Sequence, residues 1–254
     1  MSRDLHILYC HCAFADLVSP DARDAVLRGL VEAGVEFEAV ADLCELASRR
    51  DSSLKALVEH ADLRIIACHP RAVRWLFEVA GAPLPGKGSE VLNLRADGAE
   101  KVLRAVVAET GTSGPEPDRT SAEALKADLE AAAARGGQWV PWFPVIDYDR
   151  CKNCKQCLNF CLFGTYALDD DGKVRVTSPD KCKTNCPACA RVCPEVAIIF
   201  PKHPGGPIDG AEVTEEDLRR EDVRIGLSAH SRGDIYAALR KRGRPGRTGG
   251  LDPK

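Results

Sequence analysis

Over the first 109 residues the apolar positions switch repeatedly between a period of two and a period of 3.6, as expected of strands separated by helices. Leu5-His6-Ile7-Leu8-Tyr9 predicts a short strand. Ser19 then offers an N-cap and Pro20 a first helical residue, and Ala22, Val26, Leu30 and Ala33 recur at helical spacing until Gly34. A second strand is expected over 35–40, short helices over 43–49 and 52–60, and a third strand over 63–67. A helix over 72–80 stopped by Gly81, a strand over 91–94 and a helix capped by Asp97 and running to Glu109 complete the series. Strands joined by helices of this length predict a small parallel sheet, so residues 1–109 form an α/β amino-terminal domain.

Beyond it the pattern changes. Residues 110–119, TGTSGPEPDR, have linker composition. Thr120 with Glu123 makes a capping box for an amphipathic helix through Leu125 and Leu129 to Arg135, ended by Gly136-Gly137. Residues 110–137 are thus linker and helix. Trp139, Trp142 and Phe143 precede a strand over 145–148, and large rings at such a point serve domain packing. Residues 166–168 and 174–176 flank Asp171-Gly172 as a hairpin. After Phe200 the prolines and glycines of 201–207 predict loop, Thr214 caps a short polar helix to Arg220, and 234–239 suggests another. The run 240–247 is basic and rich in glycine and proline, so 205–254 reads as an extended or disordered tail with short helices.

Composition adds little until the cysteines are counted. The 254 residues are 44% apolar and 29% charged, with net charge −3, which suits a globular chain and argues against nucleic acid as a partner. The opening MSRDLHILYC lacks the apolar core of a signal peptide, and no apolar run approaches the length of a membrane span. Twelve cysteines in such a chain are expected to be reduced metal ligands in the cytoplasm rather than disulfides. One near-motif is a decoy: Gly81 to Lys87 approaches a phosphate-binding loop, but it follows a helix, precedes a strand and ends on Gly88 instead of a hydroxyl residue.

Eight of the cysteines form two runs. Cys151, Cys154, Cys157 and Cys161 are spaced C-x2-C-x2-C-x3-C, and Cys182, Cys186, Cys189 and Cys193 are spaced C-x3-C-x2-C-x3-C before Pro194. Three thiolates two or three residues apart wrap one iron–sulfur cube, while the fourth points toward another. Zinc sites instead favour well-separated C-x2-C pairs. The runs closely resemble the bacterial-type ferredoxin with two 4Fe-4S clusters. That resemblance implies an α+β two-cluster domain over 138–204 with crossed ligation. Cys151, Cys154, Cys157 and Cys193 would hold one cluster, and Cys182, Cys186, Cys189 and Cys161 the other. The chain departs from the pattern in lacking a proline after Cys161 and in one extra residue between Cys182 and Cys186.

The other four cysteines fall at expected strand ends. Cys10 and Cys12 follow the first strand, Cys44 the second and Cys68 the third, and the carboxyl ends of parallel strands share one edge where ligand groups gather. As residues alone they are either converging ligands or small buried hydrophobes. The pieces Tyr9-Cys10-His11-Cys12, Asp42-Leu43-Cys44 and Ala67-Cys68-His69-Pro70-Arg71 resemble the amino-terminal domain of the flavin-carrying subunit of heterodisulfide reductase. The resemblance implies that Cys10, Cys12, Cys44 and Cys68 hold a third 4Fe-4S cluster. Ala13 and His69 stand where that family has Gly and Ser. His11 and His69 flank these thiols and are expected to be satisfied locally; Arg71 and Arg74 are either counter-charges for a cluster or a solvated helix face.

No nucleophile–base pair is visible, so no catalytic residue is assigned. The expected function is an iron–sulfur electron carrier or redox-complex subunit that relays single electrons between partner proteins in the cytoplasm, with the basic end docking on an acidic redox partner. A cluster-dependent reductase of a disulfide-type substrate, or an iron–sulfur sensor or scaffold, is the alternative.

Overall fold

The four strands expected at the start of the chain pair in parallel as β1 (Leu5–Cys10), β2 (Glu38–Val40), β3 (Asp62–Ala67) and β4 (Ser89–Asn93), in the order β2-β1-β3-β4. The structure, a computed structural model, describes residues 5–110, 119–135 and 139–219. The linker at 111–118, the Thr120 side chain of the expected capping box, the 234–239 helix and the basic run at 240–247 lie outside the described residues. Six helices accompany the sheet: α1 (Pro20–Glu32), α2 (Leu43–Arg49), α3 (Ser53–Leu57), α4 (Pro70–Val79), α5 (Leu94–Thr110) and α6 (Arg119–Arg135).

Alternation along β1 sets the layers. Ile7 and Tyr9 face a core built from Val26, Leu27 and Leu30 of α1, Val102 and Val106 of α5 and Leu129 of α6. Leu8 and Cys10 face the other side, where they join α2, α3 and α4. Successive strand residues point to opposite faces, so one residue of register decides which core a side chain enters.

Several boundaries move for local reasons. The second strand starts at Glu38 rather than at 35, because Gly34 takes φ +64 and the Val35 N–H closes back on Leu30 O. That is the Schellman termination of α1, and it uses up the first residues of the expected strand. Helix α4 begins at Pro70, its fixed φ suited to the first helical position. Leu94 opens α5 instead of closing β4: Asn93 Oδ1 accepts from the Ala96 N–H, and Gly98 at φ +76 kinks the helix before it continues. Gly88 needs its positive φ of 87, and a Cβ there would stand 2.1 Å from Ala61 O. Gly88 of the near-motif therefore serves the approach to β4.

The cysteine-rich segment contributes two antiparallel pairs, β5 (Val145–Ile146) with β8 (Ile198–Ile199) and β6 (Tyr166–Leu168) with β7 (Val174–Val176). Short helices α7 (Gln156–Phe160) and α8 (Ala188–Arg191) carry parts of the two cysteine runs. The strand expected to reach 148 stops at Ile146, since Asp147 Oδ1 accepts from the Asp149 and Arg150 amides and turns the chain. This segment does not stand apart. Val145, Ile146, Ile198, Ile199 and Phe200 share one continuous core with Leu8, Ile65, Val73, Leu76 and Phe77. Trp142 stacks on Phe200 with ring centres 5.3 Å apart, so this aromatic serves packing, as expected.

Arg71 fastens the two parts. From the first turn of α4 its Nε donates to Asp147 Oδ2 at 2.6 Å, its Nη2 to Val196 O at 2.5 Å, and its Nη1 to Pro207 O and Ala211 O at 2.9 and 3.3 Å. Residues 207–210, predicted only as loop and tail, are buried by this arrangement. A short helix, α9 (Glu215–Arg219), follows, and Thr214 Oγ1 accepts from the Asp217 amide as its cap. No helix among the described residues is long and apolar enough to cross a membrane.

Removing one partner of a buried ion pair leaves an uncompensated charge and unpaired carbonyls. Arg71→Met should destabilise the fold by about 3–5 kcal/mol, whereas Arg74→Ala, at the exposed Arg74–Asp149 pair, should cost less than about 1 kcal/mol. Anaerobic denaturant midpoints of the two variants test the contrast; equal losses would refute it.

Candidate metal centres

The first cysteine run owes its shape to left-handed residues. Asn153 and Lys155 take φ +53 and +63, and asparagine tolerates that region because its side chain bonds locally. Here Asn153 Nδ2 donates to Gly172 O and its Oδ1 accepts from the Val174 amide, which ties the loop to the β6–β7 hairpin. The Asn153 N–H then lies 3.4 Å from Cys151 Sγ, and the Ala197 N–H 3.3 Å from Cys193 Sγ. Cys151, Cys154, Cys157 and Cys193 line one small pocket together with Val174 and Ile198. The fourth member comes from the second run.

The second group forms at the other end of the segment. Burial pushes the Cys182 and Cys189 thiols up to about 12; negative charge on Cys161 and Cys186 adds to Cys182, and on Cys182, Cys161 and Cys186 to Cys189. Cys161 and Cys186 are thus within electrostatic range of both Cys182 and Cys189. Tyr166 Oη donates to Cys189 Sγ at 3.1 Å, and Cys161 Sγ is 3.6 Å from Thr165 Oγ1. Burial raises the Cys161 thiol, but the amide and hydroxyl of Thr165 and the amides of Phe163 and Gly164 outweigh it, leaving the thiol below its usual value. Burial also pushes Cys157 up to about 12, with Cys193, Cys189 and Cys151 adding to it. Cys189 of the second group is thus within electrostatic range of Cys157 of the first.

The remaining four cysteines gather at the carboxyl edge of the parallel sheet. Cys10 ends β1, Cys12 follows it at φ +54, Cys44 lies in the first turn of α2, and Cys68 follows β3. Burial raises all four thiols; Cys10 further feels Cys12 and Cys68, Cys44 feels Cys68 and Cys12, and Cys68 feels Cys12. The Leu43 N–H donates to Cys10 Sγ at 3.3 Å.

Sequence reasoning missed the charges around this edge. Arg71 and Arg74 are not its counter-ions: they bind Asp147 and Asp149. The cations that lower its thiols are Lys202, which acts on Cys12, Cys44 and Cys68, Arg95 on Cys12 and Cys68, and Arg23 on Cys12. Arg95 follows β4 and was findable by the same strand-end argument that singled out the cysteines. Lys202 sits in a proline-rich loop with no local signal. His11 Nδ1 pairs with nearby Tyr9 Oη at 3.2 Å, whereas His69 is held by side chains distant in sequence, Asn93 at 3.1 Å and Asp209 at 3.4 Å, rather than by a local carbonyl.

The donor sets fit iron–sulfur cubes. The donors in each set are thiols, and each set has an N–H or O–H group directed at sulfur. Among the described residues no three His, Cys, Asp or Glu groups converge as a single-ion site. Thiolates on one tetrahedral zinc would stand about 3.8 Å apart, from bonds of about 2.3 Å, and a cube spreads them to roughly 6–7 Å.

Residues 143–194 match the model of the 4Fe-4S dicluster domain. A 62-residue stretch is 34% identical to pyruvate synthase subunit PorD of Methanocaldococcus jannaschii, covering 24% of this chain and 70% of that protein. The chain belongs to the 4Fe-4S dicluster ferredoxins. An uncharacterized ferredoxin of the same organism is 51% identical over 63 residues, 24% of this chain and 42% of that protein. Ferredoxin-3 of a Nostoc species is 33% identical over 24% of this chain and 79% of its own length. The chain thus spans less than half of the uncharacterized ferredoxin and more than two thirds of the other two relatives. The dicluster ferredoxin domain supports 4Fe-4S clusters, in keeping with two, and an iron–sulfur electron-transfer role.

Each half of the ferredoxin domain is too small to bury a core of its own, so cluster binding should contribute directly to its folding. Cys154→Ala and Cys186→Ala should each lower iron content and the melting temperature of the domain, read by anaerobic iron analysis and circular dichroism. Either variant keeping all of its iron and its melt would count against the ligand sets.

Proposed function

We propose that the protein relays single electrons within a cytoplasmic redox complex, through two ferredoxin clusters and a third cluster at the edge of the amino-terminal sheet. What supports this reading is that Cys151, Cys154, Cys157 and Cys193 line one pocket and that Cys10, Cys12, Cys44 and Cys68 all fall at the carboxyl edge of the parallel sheet. Cys151, Cys154, Cys157 and Cys193 hold one cluster; Cys182, Cys186, Cys189 and Cys161 hold the second; Cys10, Cys12, Cys44 and Cys68 hold the third. The likeness of the last group's surroundings to the amino-terminal domain of the heterodisulfide reductase flavin subunit supports that assignment. One ferredoxin relative is by its name a subunit of a larger synthase, which supports a place inside a complex.

Bound 4Fe-4S clusters supply one-electron chemistry at potentials set by hydrogen bonds, charge and solvent. The chain's own residues do the rest. Tyr166 and the amides of Asn153, Ala197 and Leu43 donate to ligand sulfurs, which favours the more negative state. Val174, Ile198 and Tyr166 keep water from the thiols.

The second ferredoxin group faces the surface. Phe160, Leu162 and Phe163 surround Cys161 in sequence and are exposed, Leu162 to 90%. The two ligand stretches 151–168 and 181–193 contain Lys152, Lys155, Lys181, Lys183 and Arg191 and no Asp or Glu. An apolar patch with a basic rim suits electron exchange with an acidic redox partner.

The anaerobically prepared chain should bind about twelve irons, and Cys44→Ala should lose the amino-terminal cluster while keeping the ferredoxin pair. Iron and sulfide analysis with paramagnetic resonance tests this. About eight irons in the parent chain, unchanged by Cys44→Ala, would reduce the relay to the ferredoxin pair. Turnover of a disulfide without any partner protein would favour a reductase instead.

A further inference from the structure

Lys202 lies just past β8, in the ferredoxin domain, yet its side chain ends in the amino-terminal one. Its Nζ is 2.6 Å from Asp42 Oδ2, and the two side chains are 3% and 1% exposed. Asp42 has other partners: its Oδ1 accepts from the Glu45 amide as the N-cap of α2, and its Oδ2 from the Phe14 amide at 3.4 Å. A buried ammonium is costly to place, and Asp42 already has amides to satisfy it.

The surroundings supply a reason for that ammonium. Lys202 is within electrostatic reach of Cys44 and Cys12 as well as Asp42. On the same edge Arg95 pairs with Asp209 at 3.1 Å and donates to His203 O at 3.0 Å, but its Nη1 is buried with no hydrogen-bond partner among the described residues. Arg23 donates to the carbonyls of His11 and Cys12, and its Nε is buried with no hydrogen-bond partner among the described residues. Two such guanidinium nitrogens and a buried ammonium thus belong to side chains within electrostatic range of Cys12, and two of those three cations also reach Cys68. A cube with four thiolates carries net negative charge that increases on reduction, and nearby positive charge favours the reduced state.

We propose that Lys202 sets the reduction potential of the amino-terminal four-cysteine site, as a buried cation delivered by the ferredoxin domain. The proposal rests on the third cluster assigned above. Docking of the ferredoxin domain and the potential of the amino-terminal site are then one property, because the charge that tunes the site belongs to the other domain. Arg95 is oriented by Asp209 and His203, which also follow β8, so it depends on the same docking.

The test is a potentiometric titration of the full chain followed by paramagnetic resonance, with iron and sulfide counted in every sample. Lys202→Met should move the signal that Cys44→Ala abolishes to more negative potential and leave the two ferredoxin signals in place. Lys202→Arg should restore it. Asp42→Asn keeps an N-cap acceptor while removing a negative charge, and should move the same signal the opposite way. Unmoved signals in Lys202→Met and Asp42→Asn with full iron would overturn the proposal. If Lys202→Met loses iron, Asp42→Asn decides alone, and the absence of a positive shift is the negative result. A parent chain with no Cys44-dependent signal shows instead that the third cluster is wrong, and the proposal falls with it.

Discussion

A thiolate cannot be buried without compensation, and much of this architecture follows from having to bury so many. Burial alone raises the thiols of Cys10, Cys12, Cys44 and Cys68, and those of Cys157, Cys182, Cys189 and Cys193. On the proposed ligand sets, iron would supply the positive charge that makes such sulfurs stable as ligands, with protons released as it binds. The protein adds what remains: amides turned toward sulfur by left-handed residues in the ferredoxin loops, hydroxyls from Thr165 and Tyr166, and cations at the sheet edge.

The two ends of the chain meet because neither covers itself. One face of the parallel sheet is closed by α1, α5 and α6; the other has α2, α3 and α4, and the ferredoxin strands complete its core. Arg71 binds four groups of the ferredoxin domain and the loop after it. Val196, one of them, takes φ +50, a conformation costly for a β-branched residue and held only where its surroundings over-determine it. Its carbonyl bonded to Arg71 and its amide to Cys193 O are two such restraints, close to a cysteine of the first group. Packing between the domains and the shape of that ligand loop are therefore linked.

Much of this was legible in the sequence. Periodicity located all four parallel strands because each alternates or runs apolar against two covered faces, and Ser19, Pro20 and Gly34 marked the limits of α1 through ordinary cap chemistry. The hairpin at 166–176 followed from Asp171-Gly172. Cysteine spacing identified the ferredoxin domain, since a cube's dimensions dictate how far apart its loop ligands can be in sequence. Boundaries slipped where a side chain competed with the backbone, as at Asn93 and Asp147, and those bonds depend on what the turn does next.

What the sequence by itself determined is therefore local: element type, caps, ligand spacing and membership of the ferredoxin family. Tertiary structure alone decided which charges meet which thiols. Lys202 and Cys44 are far apart in the chain, and no periodicity or motif connects them; only the docking of the ferredoxin domain on the open face of the sheet brings them together. The same docking took Arg71, a plausible counter-charge by its position two residues after His69, and spent it on Asp147 and three carbonyls instead. Charge acts through space, so the partners of a buried ion follow from packing rather than from sequence neighbourhood.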